Sequence, residues 1–296
     1  RSMKIDFWLL DINHEVFDAQ PEIRLWGIDL KGKRVLVRDR NFHPYFYLLV
    51  TDKTVIDRIL DRITTEKSRY SGIEKIEVLE KRFFGKNVKA IRIVCRDPDT
   101  ITKYAESMAK IEGVKDHVED DLRPSFRYIV DNDLVPCGWH QVEVREALEQ
   151  TDAQVDEVFE AVKPPTSIHR IGTPLLRVLA FSIVCFSQRG APTPSRDPIV
   201  IISTCTSDGK EKQFVAEGSN DRKIISDFVN YVKQYDPDIM VGYGNNKSDW
   251  PYLLGRAKLI RTKLTVDRVK SEPHTSLYGH VSVTGRANVD LSLIHI

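Results

Sequence analysis

Apolar positions recur at two different periods along the chain. Over 4–10 and 23–30 they alternate in part (Ile5, Phe7, Leu9; then Ile23, Leu25, Ile28, Leu30), and Lys31-Gly32-Lys33 turns the chain into Val35–Val37, which predicts a small antiparallel sheet. Residues 45–50 read as a strand and 55–63 as a helix with Ile56, Ile59, Leu60 and Ile63 on one face; 73–84 and 88–95 read as strands turned at Gly85. A helix over 100–111 and a strand over 114–118 complete the order β-α-β-β-α-β, the ferredoxin-like split unit shared by many RNA-recognition modules. Residues 134–168 are mixed. A short strand is predicted at 138–142, whereas 143–162 carries many acids without a deep apolar face, and Pro164-Pro165 closes a linker.

The second half opens with an apolar strand over 175–186, followed by strands at 198–204 and 213–216 around the turn Ser207-Asp208-Gly209-Lys210. Ser219, Asn220 and Asp221 offer capping side chains to a helix carrying Ile224, Ile225, Phe228, Val229 and Val232 on one face, and Asp236-Pro237 stops it. Ile239-Met240-Val241 then reads as a buried strand, a polar loop leaves its C-terminal end, and Asp249-Trp250-Pro251 starts another helix. Three strands in meander, a helix and a further strand give the ribonuclease-H-like order. In such sheets, acids at the ends of adjacent strands surround two divalent metals, because hard cations want anionic oxygens. The expectation is thus an α/β (α+β) chain with a ferredoxin-like domain over 1–133, and a ribonuclease-H-like domain over 134–296 that is incomplete at its C-terminus.

Length and composition narrow this further. At 296 residues the chain is long enough for two cores. With 41% hydrophobic and 29% charged residues it has a globular composition, and no apolar run approaches the roughly 18 residues of a membrane span. Forty-four Lys plus Arg against 43 Asp plus Glu leave a net charge of +1, so any nucleic-acid contact must come from local patches. One candidate is 256–270, where Arg256, Lys258, Arg261, Lys263, Arg268 and Lys270 face the single acid Asp267; this suits a phosphate-facing strip or a solvated helix face equally. Cys95, Cys137, Cys185 and Cys205 form no C-x-x-C pair, which argues against a zinc ribbon or a disulfide framework and for an intracellular protein. No signal-peptide pattern opens the chain, and Arg1-Ser2 before Met3 reads as a remnant of expression.

Asp249 by itself reads most simply as an N-cap, worth about 1 kcal/mol to its helix. Its surroundings say more. VGYGNNKSDWPYL (241–253) closely resembles the second exonuclease motif of family B DNA polymerases, in which an Asp of this loop helps hold the metals of a 3′–5′ proofreading site. FHPYFY (42–47), RFFGK (82–86), FRYI (126–129), LRVLAF (176–181) and GRANVDL (285–291) resemble archaeal members of that family, in the same order. The resemblance implies the N-terminal and exonuclease portion of an archaeal-type family B DNA polymerase. It further implies Mg²⁺ or Mn²⁺ as cofactor and DNA, as single-stranded template and 3′ end, as partner. The family's palm, fingers and thumb have no counterpart in this sequence, a sliding clamp would bind through a C-terminus that is missing, and the location implied is cytoplasmic, at the nucleoid.

The sequence also departs from that family. Its first exonuclease motif reads D-I-E, where this chain has Ser182-Ile183-Val184; Ser248 replaces the aromatic before Asp249, and Gly244 an Asn. The third motif, Y-x-x-x-D, should lie beyond Asp290, and residues 292–296 do not resemble the family's continuation. Asp249 is then the remnant of the metal site, with Ser182 and Val184 marking the missing acids, so the exonuclease is expected to be inactive and the metals not tightly bound. Two other classes compete: a stand-alone ribonuclease-H-like nuclease, which would need an intact acid cluster, and a non-catalytic single-stranded nucleic-acid-binding module. The archaeal relatives also carry a pocket that reads template uracil, and the matching positions here are Pro44, Tyr45, Ala90 and Arg127. Ala90 stands where the family usually has Val, and Leu9 near where it has Tyr. Without such a pocket, Pro44 starts a strand, Ala90 fills the core, and Arg127 caps a helix or pairs with Glu119 or Asp120.

Overall fold

The computed structural model describes residues 2–149, 151–276 and 278–294. Arg1 and the last two residues of the 292–296 tail lie outside them.

Three strands open the chain: β1 (Met3–Phe17), β2 (Gln20–Asp29) and β3 (Arg34–Asp39). There follow β4 (Tyr45–Val50), α1 (Ile56–Thr65), β5 (Ile73–Phe83), β6 (Lys86–Cys95), α2 (Ile101–Met108) and β7 (Val114–Val118). These four strands form an antiparallel sheet in the order β5-β6-β4-β7, the expected ferredoxin-like arrangement. Alternation along β4 and β6 fixes its two faces: Phe46, Leu48, Ile91 and Ile93 pack under α1 and α2, while Tyr47, Leu49 and Ala90 point the other way.

After α3 (Pro124–Asp131) come β8 (Trp139–Glu146), β9 (Glu157–Ala161) and β10 (Thr166–Ser167), and they return to the first three strands. β3 and β9 run parallel, β8 lies antiparallel to β9, and Met3–Trp8 of β1 pairs with β8 while Phe7–Phe17 pairs with β2. A register shift after Leu9 bends the long first strand between these two partners. The order β1-β2-β3-β9-β8 thereby closes into a five-stranded barrel of OB-fold type, with the ferredoxin-like unit inserted between β3 and α3. The expected small sheet is therefore a closed barrel, and the boundary expected at 133/134 falls between α3 and two of the barrel's own strands. The signal was present but short. Val142 and Val144, then Phe159 and Ala161, point inward at period two, while the acids between them face out.

The second sheet contains β11 (Val178–Cys185), β12 (Ile199–Thr206) and β13 (Glu211–Val215); after α4 (Arg222–Tyr235) come β14 (Ile239–Gly242) and α5 (Asp249–Leu259). A two-stranded ribbon, β15 (His274–Thr275) and β16 (Val281–Ser282), precedes β17 (Ala287–Asp290). The order β13-β12-β11-β14-β17, with β14 and β17 parallel to the central β11, is the ribonuclease-H-like arrangement. Phe181, Phe214, Phe228 and Trp250 interlock beneath it, with ring centroids 4.8–6.4 Å apart.

Two local expectations change. Asp221 caps no backbone N–H of α4; its carboxylate takes both prongs of the Arg256 guanidinium at 2.7 and 2.8 Å and accepts the Ile199 N–H. Arg268 is likewise buried, on Asp236 and Asp238, so the cations of 256–270 do not form one strip. An arginine lying between acids on neighbouring elements cannot be told from a solvated one by sequence spacing.

Candidate functional site

The ribonuclease-H-like sheet exposes one face. Residues at alternate positions of β11 reach it, so Ser182, opposite Ser203, and Val184, opposite Ile201, stand side by side and exposed. A cleft of about 770 Å³ crosses this face, lined among others by Ser182, Ser203, Cys205, Gln213, Tyr243 and Leu291. Ser182 lines it; Val184 and Asp249 do not.

Asp249 is the first residue of α5 rather than its cap, and its carboxylate accepts the Ser248 hydroxyl at 2.8 Å. Burial pushes its pKa above the ordinary carboxylate range; the Ser248 hydrogen bond pulls the other way, and the negative charge of Asp290 adds to the rise. Asp290 closes β17 and was not singled out from the sequence. Its Oδ1 accepts the N–H of Gly244 at 2.7 Å and of Ser292 at 3.0 Å, and its Oδ2 that of Asn246 at 3.1 Å. Burial would raise its pKa, but the Ser292 hydroxyl and these N–H groups outweigh it and hold the carboxylate below the usual range.

The loop before α5 is thus tied down from beneath. Asn288 accepts from the Asn245 amide and the Trp250 indole and donates to Asn246 Oδ1 and the Val281 carbonyl, all at 2.8–3.1 Å. Gly244, at φ +71°, occupies a left-handed turn that favours glycine. Asn288 and Asp290 alternate on β17 within GRANVDL, a period-two signal too short to separate from a loop.

This donor set does not fit a pair of hard cations. At the two first-motif positions stand a neutral hydroxyl and a hydrocarbon; one Asp249 oxygen is taken by the Ser248 hydroxyl, and the Asp290 oxygens are engaged by N–H groups. Among the described residues no group of three or more His, Cys, Asp or Glu side chains is placed to hold a metal.

A second recess lies on the open face of the ferredoxin-like sheet, where α3 overhangs it. Its volume is about 310 Å³, and Tyr45, Tyr47, Phe83, Ala90 and Arg127 are among its walls. The Arg127 guanidinium sits 3.9 Å from the centre of the Tyr45 ring and donates to the Glu119 carboxylate at 3.0 Å, while the Tyr45 hydroxyl donates to Asp131 at 2.9 Å. Of the four residues matched from sequence, three meet here. Pro44 is buried outside the lining, its carbonyl accepting the Cys95 N–H at 2.8 Å. Leu9 packs inside the barrel.

A barrel and a ferredoxin-like unit joined to a ribonuclease-H-like sheet, with an aspartate at the head of the helix that follows β14, define a scaffold of the polymerase-linked exonuclease class. The profile described as DNA polymerase family B, exonuclease domain, matches residues 115–294, and the chain belongs to that family. Family B exonuclease domains are generally divalent-metal dependent. The chain is 36% identical to DNA polymerase 2 of Aeropyrum pernix over 291 residues, covering 97% of this chain and 36% of that protein. DNA polymerase 3 of Saccharolobus solfataricus is 31% identical over 288 residues, again 97% of this chain and 37% of that protein. The solved family B DNA polymerase of Pyrobaculum calidifontis superimposes with a TM-score of 0.86 at 42% identity, covering 97% of this chain and 37% of that one. The chain thus spans little more than a third of the length of these relatives. No helix among the described residues is long and apolar enough to cross a membrane.

Proposed function

We propose that this chain contributes the template-holding and 3′-end-handling part of a DNA-directed DNA polymerase, with a proofreading exonuclease that no longer hydrolyses DNA. Supporting the loss is the neutral pair Ser182 and Val184 on the open face of β11, where the family places the two carboxylates of its first motif. Hydrolysis of a 3′-terminal phosphodiester needs charge stabilisation at both the attacking and the leaving oxygen, and a single carboxylate, Asp249, cannot hold the two metals that would supply it. Asp249 is retained at the head of α5, and Mg²⁺ or Mn²⁺ is not held tightly. A Mn²⁺ titration followed by calorimetry tests this. The unmodified chain is expected to give no saturable heat, and the variant Ser182→Asp/Val184→Glu to gain some; saturable uptake of two ions by the unmodified chain would refute it.

A second activity is supported by the recess of Tyr45, Ala90 and Arg127. Its sheet face is the one on which RNA-recognition modules stack bases, and its small Ala90 wall leaves room for a flat ring beside Tyr45. We assign it to reading a template base, with uracil admitted and thymine crowded out by its methyl group. Single-stranded DNA with one internal uracil should bind more tightly than its thymine twin at fixed salt, and Ala90→Gln should abolish the difference. Equal affinity for both oligonucleotides would rule the pocket out. We place the working boundary between the two activities near residue 168, after β10, the short strand that pairs with the barrel's β8.

A further inference from the structure

The β5–β6 hairpin ends in a turn whose residues are at odds with its geometry. Phe83 and Lys86 close the ladder, leaving a two-residue turn of Phe84 at φ 47° and Gly85 at φ 77°. Both positive values belong to a primed turn, whose first central position favours Asn, Asp or Gly; a bulky aromatic is seldom found there. Phe84 gains no burial in compensation, since 90% of its surface is exposed, and its one aromatic neighbour among the described residues is Phe83, edge-on at 4.6 Å. An outlier of this kind, held at the tip of a hairpin, points to function rather than to packing.

Its chemical surroundings indicate the ligand. Lys81, Arg82 and Lys86 flank the tip, all exposed, and none pairs with a carboxylate among the described residues; the nearby Glu80 is engaged by Lys89 at 3.0 Å. The tip is continuous with the recess described above, because Lys81, Arg82 and Phe83 belong to its lining. An exposed ring among cations, at the lip of a base-sized recess, matches the way proteins hold single-stranded nucleic acid: bases stack on the aromatic and phosphates meet the cations.

We propose that the 81–86 hairpin tip is a stacking finger that holds the nucleotide next to the one in the recess. A base lies on the Phe84 ring, and the flanking phosphates lie against Lys81, Arg82 and Lys86. Because every base offers a flat face, the finger grips without reading sequence. The proposal rests on the chain binding single-stranded DNA, as argued under its proposed function.

Binding of a labelled oligothymidylate at fixed salt tests it, together with thermal unfolding. Phe84→Asn places a turn-favouring residue in the strained position, so it should keep or raise the melting temperature while weakening binding by about 5-fold or more, the loss of one base–aromatic stack. Phe84→Trp should keep the affinity and show indole quenching on binding. Replacing Lys81, Arg82 and Lys86 by Ala should flatten the salt dependence by about 0.7 in logarithmic slope for each phosphate that is no longer neutralised. If the unmodified chain binds the oligonucleotide and Phe84→Asn binds equally well, the finger is wrong although the broader function stands. A melting temperature lowered by Phe84→Asn would make the ring structural and overturn the proposal. No binding by the unmodified chain would overturn both.

Discussion

Replacing Asp238 by Ala should destabilise the whole chain, because this residue holds the barrel to the ribonuclease-H-like sheet. Its carboxylate has 0% exposure and accepts Arg34 Nε at 3.0 Å and Nη2 at 2.6 Å from the barrel strand β3. It also accepts Arg268 Nη2 at 2.8 Å and the Arg177 N–H at 2.7 Å. Removing it leaves two buried guanidinium groups short of a counter-charge. Breaking a buried pair in this way costs about 3–5 kcal/mol. The lower end is expected here, since Arg268 keeps Asp236 and the Gly285 carbonyl, and Arg34 keeps the carbonyls of Gly32 and Leu175. Asp238→Asn retains an acceptor and should cost less, on the order of 2 kcal/mol. Burial would raise the Asp238 pKa, but the Arg34 hydrogen bond, the Arg268 charge and the Arg177 N–H outweigh it and depress it. Its stabilisation is therefore complete above the unfolded value of about 3.9 and is lost as the pH falls through the lower folded value. Urea unfolding followed by tryptophan fluorescence, near neutral pH and again in acid, measures both effects. A neutral-pH loss below about 1 kcal/mol, or a difference from wild type that persists unchanged in strong acid, would refute the reasoning.

Asp11 titrates in the opposite sense: burial pushes its carboxyl up to about 7 against the hydrogen bonds of Gly285 and Ile12 and the charge of Arg268. Its contribution is full below the unfolded value of about 3.9 and is lost as the pH rises through about 7, so Asp11→Asn should flatten the pH dependence of thermal stability over that window. A wild-type profile as flat as the variant's would contradict this. Asp290→Ala strips acceptors from the N–H groups of Gly244, Asn246 and Ser292 and should cost about 1–3 kcal/mol, with faster amide exchange at 244–246; unchanged protection there would refute the anchoring role. Trp250→Ala leaves a cavity under β11 and frees Asn288, for a loss of about 3–5 kcal/mol in urea unfolding, and a loss under 1 kcal/mol would show that the core closes over the gap.

The long periodic elements were legible in the sequence. The face of α4, the two helices over the ferredoxin-like sheet and the apolar β11 carry their burial pattern in residue spacing alone. The barrel was not, because β8 and β9 show only two inward apolar residues each before acids resume, and closure depends on pairings more than 100 residues apart. At the sites, the wording around Asp249 drew attention to the turn between β14 and α5, whereas Asp290 and Asn288, which fix that turn, belong to a four-residue strand. Arg256 and Arg268 looked solvent-facing in a run of cations, and only the fold brings Asp221 and Asp238 to them.

Degradation of 3′-labelled single-stranded DNA in Mg²⁺ and in Mn²⁺ tests the loss of hydrolysis most directly. The unmodified chain is predicted to leave the label intact in both metals, at a level indistinguishable from Asp249→Ala. Metal-dependent shortening by the unmodified chain, abolished by Asp249→Ala, would contradict it.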